Sequence, residues 1–326
     1  MAFWMIAGWD CAQEIFLTAG KCPQMVLRLL KSAWGNPWLL ILLCLTFWAS
    51  NVVAARLAVG DVSPMVLGSM RWIVASAIMT PIVWRQLKDH SQMIRQHWIY
   101  LTLISLSGFS IYSLIFYAAG NFTSGVNISM LVATVPIFTI VIAWIFARDP
   151  VGPVVVVGVF LTVLGAIVVA SRGDLDVLRD LRFNTGDLMI LAASILHASF
   201  TVGLRKRPPF PPMVFFTILA IIALVSSLPA IAAEIALGHF IWPSWLGIAI
   251  LIYAGTFPTI VSQTFYMRVI ELIGPQRTSL FYNMVPIMGA MMSVAFLGED
   301  FHLYHFIAFL FVLGGIALAE LWRMRR

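Results

Sequence analysis

Charge is what this sequence has least of. Only 10% of its 326 residues are Asp, Glu, Lys or Arg, where a soluble domain carries about 25%. Apolar residues fill the deficit, at 61% of the chain, and mean hydropathy is +0.96. A soluble fold of this size has nowhere to hide so much apolar surface, so lipid must be the solvent for most of it. Cysteine is scarce as well. Cys11 and Cys22 precede the first apolar run and Cys44 lies inside it, which excludes a disulfide framework and leaves free thiols. Catalytic signatures are missing: there is no G-x-S-x-G nucleophile elbow and no H-E-x-x-H zinc motif. Neither a catalytic residue nor a cofactor is expected. No Asp or Glu stands in the middle of an apolar run. That weakens a carboxylate proton relay and leaves facilitated diffusion, exchange or histidine-based coupling open. The net charge of +6 does not argue for nucleic acid, because the basic residues sit at the ends of apolar runs.

What is there is a series of ten such runs, roughly 38–56, 64–84, 98–118, 124–147, 151–170, 186–204, 212–233, 244–267, 277–297 and 302–321. About 20 apolar residues span the hydrocarbon core as a helix. The runs are continuous rather than alternating, which excludes a barrel. The expected class is an all-α membrane protein of ten transmembrane helices. With the N-terminus inside, fifteen Lys and Arg fall in cytoplasmic segments and four (Arg56, Arg172, Arg179, Arg182) outside, with Arg71 inside a span. This asymmetry predicts both termini in the cytoplasm. Residues 1–35 start with a short apolar stretch broken by Asp10 and Glu14, and their positive charges come after it. A signal peptide has the reverse order, so this is read as an interfacial or disordered lead, with Met25 an alternative start.

The chain repeats itself. Pro136 and Asp149 in "VPIFTIVIAWIFARD" are matched by Pro286 and Glu299 in "VPIMGAMMSVAFLGED", both at an offset of 150, as is Gly165 by Gly315. Arg56 finds Arg205 at 149, "PMV" at 64 recurs at 212, and "FY" at 116 recurs at 265. The halves are read as 36–171 and 186–322, joined by an extracytoplasmic linker over 172–185 and ending in a basic tail at 323–326. Five spans is an odd number, so the second copy is inverted relative to the first. Inverted repeats with a site near the midplane are the recurring plan of secondary transporters.

The order of proline, apolar turn and acid, and then a Gly-bearing last helix, resembles the EamA-type units of the drug/metabolite transporter superfamily. "GTFPTIVSQTFYMRVIELIGPQRTSLFYNMVPIMGAMMSVAFLGED" (255–300) is similar to the second unit and "FWASNVVAARLA" (47–58) to the opening of the first. The first unit ends "ARDP" where the family has "GE". The resemblance implies an alternating-access carrier of small organic metabolites, an exporter, in the bacterial inner membrane. It also implies rocking of spans 1–4 and 6–9 around a central cavity, with spans 5 and 10 as packing.

Candidate site residues are chosen by polarity inside spans. Arg71 lies about seven residues into the second span, roughly 10 Å deep at 1.5 Å per residue. Such a charge needs a partner or an aqueous cavity. It is read either as a contact for a carboxylate or as a structural, snorkelling Arg. His197 is the mid-span group able to titrate near neutrality, either a proton or substrate contact or a hydrogen-bonded core histidine. Trp48, Asn51, Tyr112, Tyr117, Asn127, Gln263, Tyr266 and Asn283 complete a set expected to line a cavity, the competing role being interhelical hydrogen bonds. Pro136 and Pro286 are read as hinges or as tolerated membrane prolines. Asp149 and Glu299 are read as latches pairing with a basic residue in one state, or as solvated caps. Gly158 and Gly165, with Ala308 and Gly315, make small faces for packing or for a homodimer contact. Glu299, His302 and His305 drift around the helix, so no metal site is expected. An intramembrane enzyme and a receptor or scaffold remain the alternatives.

Overall fold

The structure, a computed structural model, describes residues 32–147, 152–170, 174, 184–273, 281 and 284–324. Asp149 and Asn283, the linker residues 175–183 and the lead up to residue 31 lie outside them. Regular structure among the described residues is helical throughout. The first half holds α1 (Pro37–Leu57), α2 (Pro64–Asp89), α3 (Trp98–Ala119), α4 (Gly125–Val132 and Val135–Ala147) and α5 (Pro153–Ala170). The second half holds α6 (Thr185–Gly203), α7 (Pro212–Ala236), α8 (Trp245–Ile273), α9 (Met284–Leu297) and α10 (Leu303–Met324). Seven helices among the described residues are long and apolar enough to cross a membrane, and α5, α9 and α10 contribute shorter apolar stretches.

Local chemistry sets where these helices begin. Asn36 caps α1, its Oδ1 accepting from the amides of Trp38 (3.0 Å) and Leu39 (3.2 Å), with Pro37 at the first helical position. Proline there costs nothing, because its missing N–H has no intrahelical acceptor. Ser124, Asn184 and Ser244 cap α4, α6 and α8 in the same way. The helices carry apolar residues on their outward faces as well as inward. Phe160, Leu310 and Trp245 lie outward with much of their surface exposed, as lipid-facing groups do.

Packing partners cross between the halves. α1 lies on α8 and α9, α2 on α7, α3 on α6, α4 on α6 and α9, and α5 on α10. Shifting every helix by five turns this set of pairs into itself, so the two halves use equivalent surfaces. Where backbones approach most closely, glycine is required. A Cβ on Gly125 would meet Ser293 Oγ at 2.4 Å, and one on Gly289 would meet Ser129 Oγ at 2.5 Å. Two Gly-x-x-x-Ser steps, 125–129 and 289–293, therefore mesh reciprocally where α4 crosses α9. The small residues expected on α5 and α10 face each other within one chain: a Cβ on Gly315 would meet the Gly158 carbonyl at 2.4 Å.

Candidate functional site

Arg71 projects from α2 into the protein and is 8% exposed. It does not snorkel. Its guanidinium donates to Tyr117 Oη and Ser113 Oγ, both at 3.0 Å, and lies 4.3 Å from the centre of the Trp72 ring. Tyr117 in turn donates to Asn51 Oδ1 at 2.7 Å. Its single oxygen thus accepts from α2 and donates to α1. The Arg71 Nε is buried without an acceptor, and no carboxylate lies within ion-pair distance of Arg71 among the described residues. A buried cation held only by neutral hydroxyls and a ring is poised for an anion.

α1 carries this network to the second half. Trp48 lies one turn before Asn51. Its Nε1–H donates to the Pro258 carbonyl at 3.1 Å, and its ring lies 5.1 Å from that of Tyr266. Ser50 hydrogen-bonds Tyr253 across the same interface. Tyr112 lies 5.0 Å from His197 ring to ring, bringing α6 to the edge of the cluster. Gln263 is half-buried on α8. The structure therefore gathers Trp48, Asn51, Arg71, Tyr112, Tyr117, His197 and Tyr266 into one band across both halves.

Two features of this band are invisible to apolar-run counting. α3 and α8 each contain a π-helical segment, Leu106–Ser110 and Gly255–Val261, starting 255 − 106 = 149 residues apart. A π-bulge inserts a residue, rotates the rest of the helix and frees carbonyls, and such bulges cluster at functional sites. The Pro258 carbonyl inside the second bulge receives Trp48. Tyr112, Ser113 and Tyr117 lie just beyond the first bulge; Gln263 and Tyr266 lie just beyond the second. Ser113 escapes sequence reasoning because serine is unremarkable in an apolar run. Pro258 in one copy and Gly108 in the other are the available signals.

Asn127 belongs to a different cluster. It is 3% exposed at the start of α4, its Nδ2 facing both carboxylate oxygens of Asp187 at 3.4 and 3.5 Å, and its Oδ1 meeting His305 Nε2 at 3.1 Å. Thr123 also donates to Asp187. Asp187 is fully buried. No acid stands in the middle of a span, as the sequence indicates; Asp187 lies in the first turn of α6 and is buried nonetheless, with Thr123 and Asn127 of the first half against it. Next to this cluster, Glu299 accepts from the amides of Gly125 and Val126, both at 2.9 Å, and lies 3.4 Å from Arg56 Nε. A carboxylate on the first amides of a helix meets the positive end of its dipole. Arg56 also donates to the Gly120 carbonyl. Glu299 thus binds the second half to α1 and α4 of the first. α4 is interrupted at residues 133 and 134, just before Pro136, whereas Pro286 lies in the first turn of α9.

Comparison with known proteins places this architecture. The model of the EamA-like transporter family matches twice, over residues 36–171 and 184–321. The chain is 24% identical to the uncharacterized transporter YyaM of Bacillus subtilis (strain 168) over 294 residues, covering 87% of this chain and 93% of that protein. It is 22% identical to the uncharacterized transporter YetK of the same organism, covering 82% and 81%. A solved crystal structure superposes with a TM-score of 0.59 at 16% identity, covering 88% of this chain and 97% of the other; that likeness concerns the fold alone. Matched by the family model on both halves, the chain belongs to the EamA-like transporter family and is a multi-pass membrane transporter.

Proposed function

We propose that the protein is a secondary transporter exporting small organic metabolites, amino-acid-like or drug-like, across the bacterial inner membrane by alternating access. Ten helices cross in two inverted five-helix repeats with both termini in the cytoplasm. The Lys and Arg asymmetry, the odd span number and the five-helix equivalence of the packing support this arrangement. The solute binds in the band around Arg71, formed by Trp48, Asn51, Tyr112, Tyr117, His197, Gln263 and Tyr266, with Asn283 contributed from the start of the ninth span. Pro136 and Pro286 are the hinges, and Glu299 and Asp149 the latches of the two ends. The observation that carries the reading is the buried Arg71 guanidinium, which has hydroxyl partners and no carboxylate among the described residues. A solute carboxylate supplies the missing acceptor, and its apolar part lies against the aromatic rings.

Solute flux in proteoliposomes over a panel of amino acids and apolar carboxylates tests this. At least one anionic solute should move, and Arg71→Gln should reduce its flux at least tenfold while the protein still purifies as a monodisperse species. Absence of flux across the panel overturns the transport reading. Asn283→Cys, labelled by an impermeant thiol reagent from either face, separates a carrier from a receptor: a carrier exposes the position to both sides.

A further inference from the structure

The cluster around Asn127 is not used by the solute band, yet its geometry fixes the position of a proton. The His302 amide donates to His305 Nδ1 at 3.0 Å. Nδ1 is therefore an acceptor and the ring proton sits on Nε2, which donates to Asn127 Oδ1 at 3.1 Å. With its oxygen so engaged, the Asn127 amide can only donate onward, and it faces the buried Asp187 carboxylate. The result is a directed chain from a neutral imidazole on α10, through an amide on α4, to a carboxylate on α6.

We propose that His305, with Asp187 as its counter-charge through Asn127, is a proton-binding site that releases the Glu299 latch. The idea rests on the transporter reading, since it supplies that carrier with a coupling ion. A proton from hydronium adds to Nδ1, the imidazole becomes a cation, and the His302 amide loses its acceptor. The O–H bond of hydronium breaks as the N–H bond forms, leaving water, and the hydrogen bond from the His302 amide is replaced by a donor facing a donor. The buried cation is balanced by Asp187 across a single amide. His302 is separated from Glu299 by two residues, in a loop entered through Gly298 at φ +65°. Displacing His302 therefore pulls on the carboxylate that holds Gly125, Val126 and Arg56. The route for the proton is short, because the exposed His302 ring lies 5.7 Å from the His305 ring.

Few other titratable groups surround the site among the described residues. Asp187 comes from α6, Arg56 from α1, and Glu299, Asp300 and His302 from the loop. Tyr304 lies beside His305, ring centres 4.0 Å apart. The described parts of α4, α5 and α9 carry none. The tyrosines of α3 nearest this end, Tyr112 and Tyr117, belong to the Arg71 band.

Hydrogen exchange on the full-length protein in nanodiscs, without any solute and corrected for intrinsic exchange, tests the proposal. Peptides covering 121–130 and 298–305 should lose at least tenfold protection between pH 7 and pH 4. His305→Gln, which still donates to Asn127 but cannot take up a proton, should abolish that dependence. Asp187→Asn should move the transition to lower pH, because the cation loses its counter-charge. A wild type with pH-independent protection, or a His305→Gln protein that keeps the wild-type dependence, overturns the idea. Should the variants fail to fold, 15N spectra of the wild-type imidazoles decide: His305 must gain its second proton over the same pH range as protection is lost. A ring that keeps the Nε2–H tautomer through that range overturns the idea. The two readings fail separately. Opening with pH but no flux for any solute supports this site and sinks the carrier; flux with a latch insensitive to pH sinks only this site.

Discussion

At the scale of single residues, the proposed solute site rests on a polar group that is buried and only partly satisfied. Arg71 makes two side-chain hydrogen bonds and leaves Nε buried without an acceptor. Hydrogen bonds to charged groups contribute about 1.5–3 kcal/mol, so Arg71→Lys should be costly in a specific way. Lysine keeps the charge but not the fork that reaches Tyr117 and Ser113 together. Weaker apparent solute affinity together with a lowered melting temperature is expected, read from the concentration dependence of flux and from thermal unfolding. Glu299 offers a second test. In Glu299→Gln one oxygen must become an NH2 group, which cannot accept from the Gly125 or Val126 amide. Its ion pair with Arg56 is long, 3.4 Å, and mostly buried, so its Coulomb gain is offset by desolvation. The lost amide bond dominates, and faster exchange at Gly125 and Val126 at a fixed neutral pH is expected. The polar residues of the Arg71 band could be picked from sequence by their rarity inside spans. Their grouping could not, because which of them meet depends on helix rotation.

At the scale of elements, close approach and local winding decide what each helix does. Adjacent glycines of α10 should respond oppositely to alanine. A Cβ on Gly315 would meet the Gly158 carbonyl at 2.4 Å, whereas one on Gly314 meets nothing within 4 Å. Gly315→Ala is expected to destabilise by about 1–3 kcal/mol through overpacking, and Gly314→Ala to be neutral or stabilising through helix propensity. Melting temperatures in one detergent check the pair. The π-bulges are the other element-scale device. Pro258 lies inside the bulge of α8, and its carbonyl accepts from Trp48. Pro258→Ala restores an N–H and favours ordinary winding. The expected outcome is an equal or higher melting temperature with reduced flux, because Gln263 and Tyr266 rotate away from the band. Helix extents were legible from apolar runs. The bulges were not, since inserting one residue into the winding leaves hydropathy unchanged.

At the scale of the molecule, the halves interlock through equivalent pairs, and the latch end is closed by contacts that all cross between them: Glu299 with α4, Asp187 and His305 with Asn127, Ser244 with Asp61. Under the proposed alternating access, such a set would open as a unit. The inverted arrangement makes its own prediction. Leu178→Cys and Lys206→Cys, on a background without the three native cysteines, should label from opposite faces of intact cells: position 178 from outside, position 206 only after the membrane is opened. Labelling of both from one side overturns the inversion.

The sequence by itself determined the membrane environment, because composition fixes the solvent a chain can tolerate. It also carried the duplication, since repeated residues stay aligned at a nearly constant offset, and with it the resemblance to the family. Tertiary structure alone decided that Arg71 has no acid partner among the described residues, that Asn127 serves Asp187 and His305 rather than the aromatic band, and that Glu299 closes on Arg56 and the start of α4. Each of these joins groups from helices distant in the chain. Burial and pairing of such groups depend on how helices rotate against one another, and neither hydropathy nor spacing along the chain encodes that rotation.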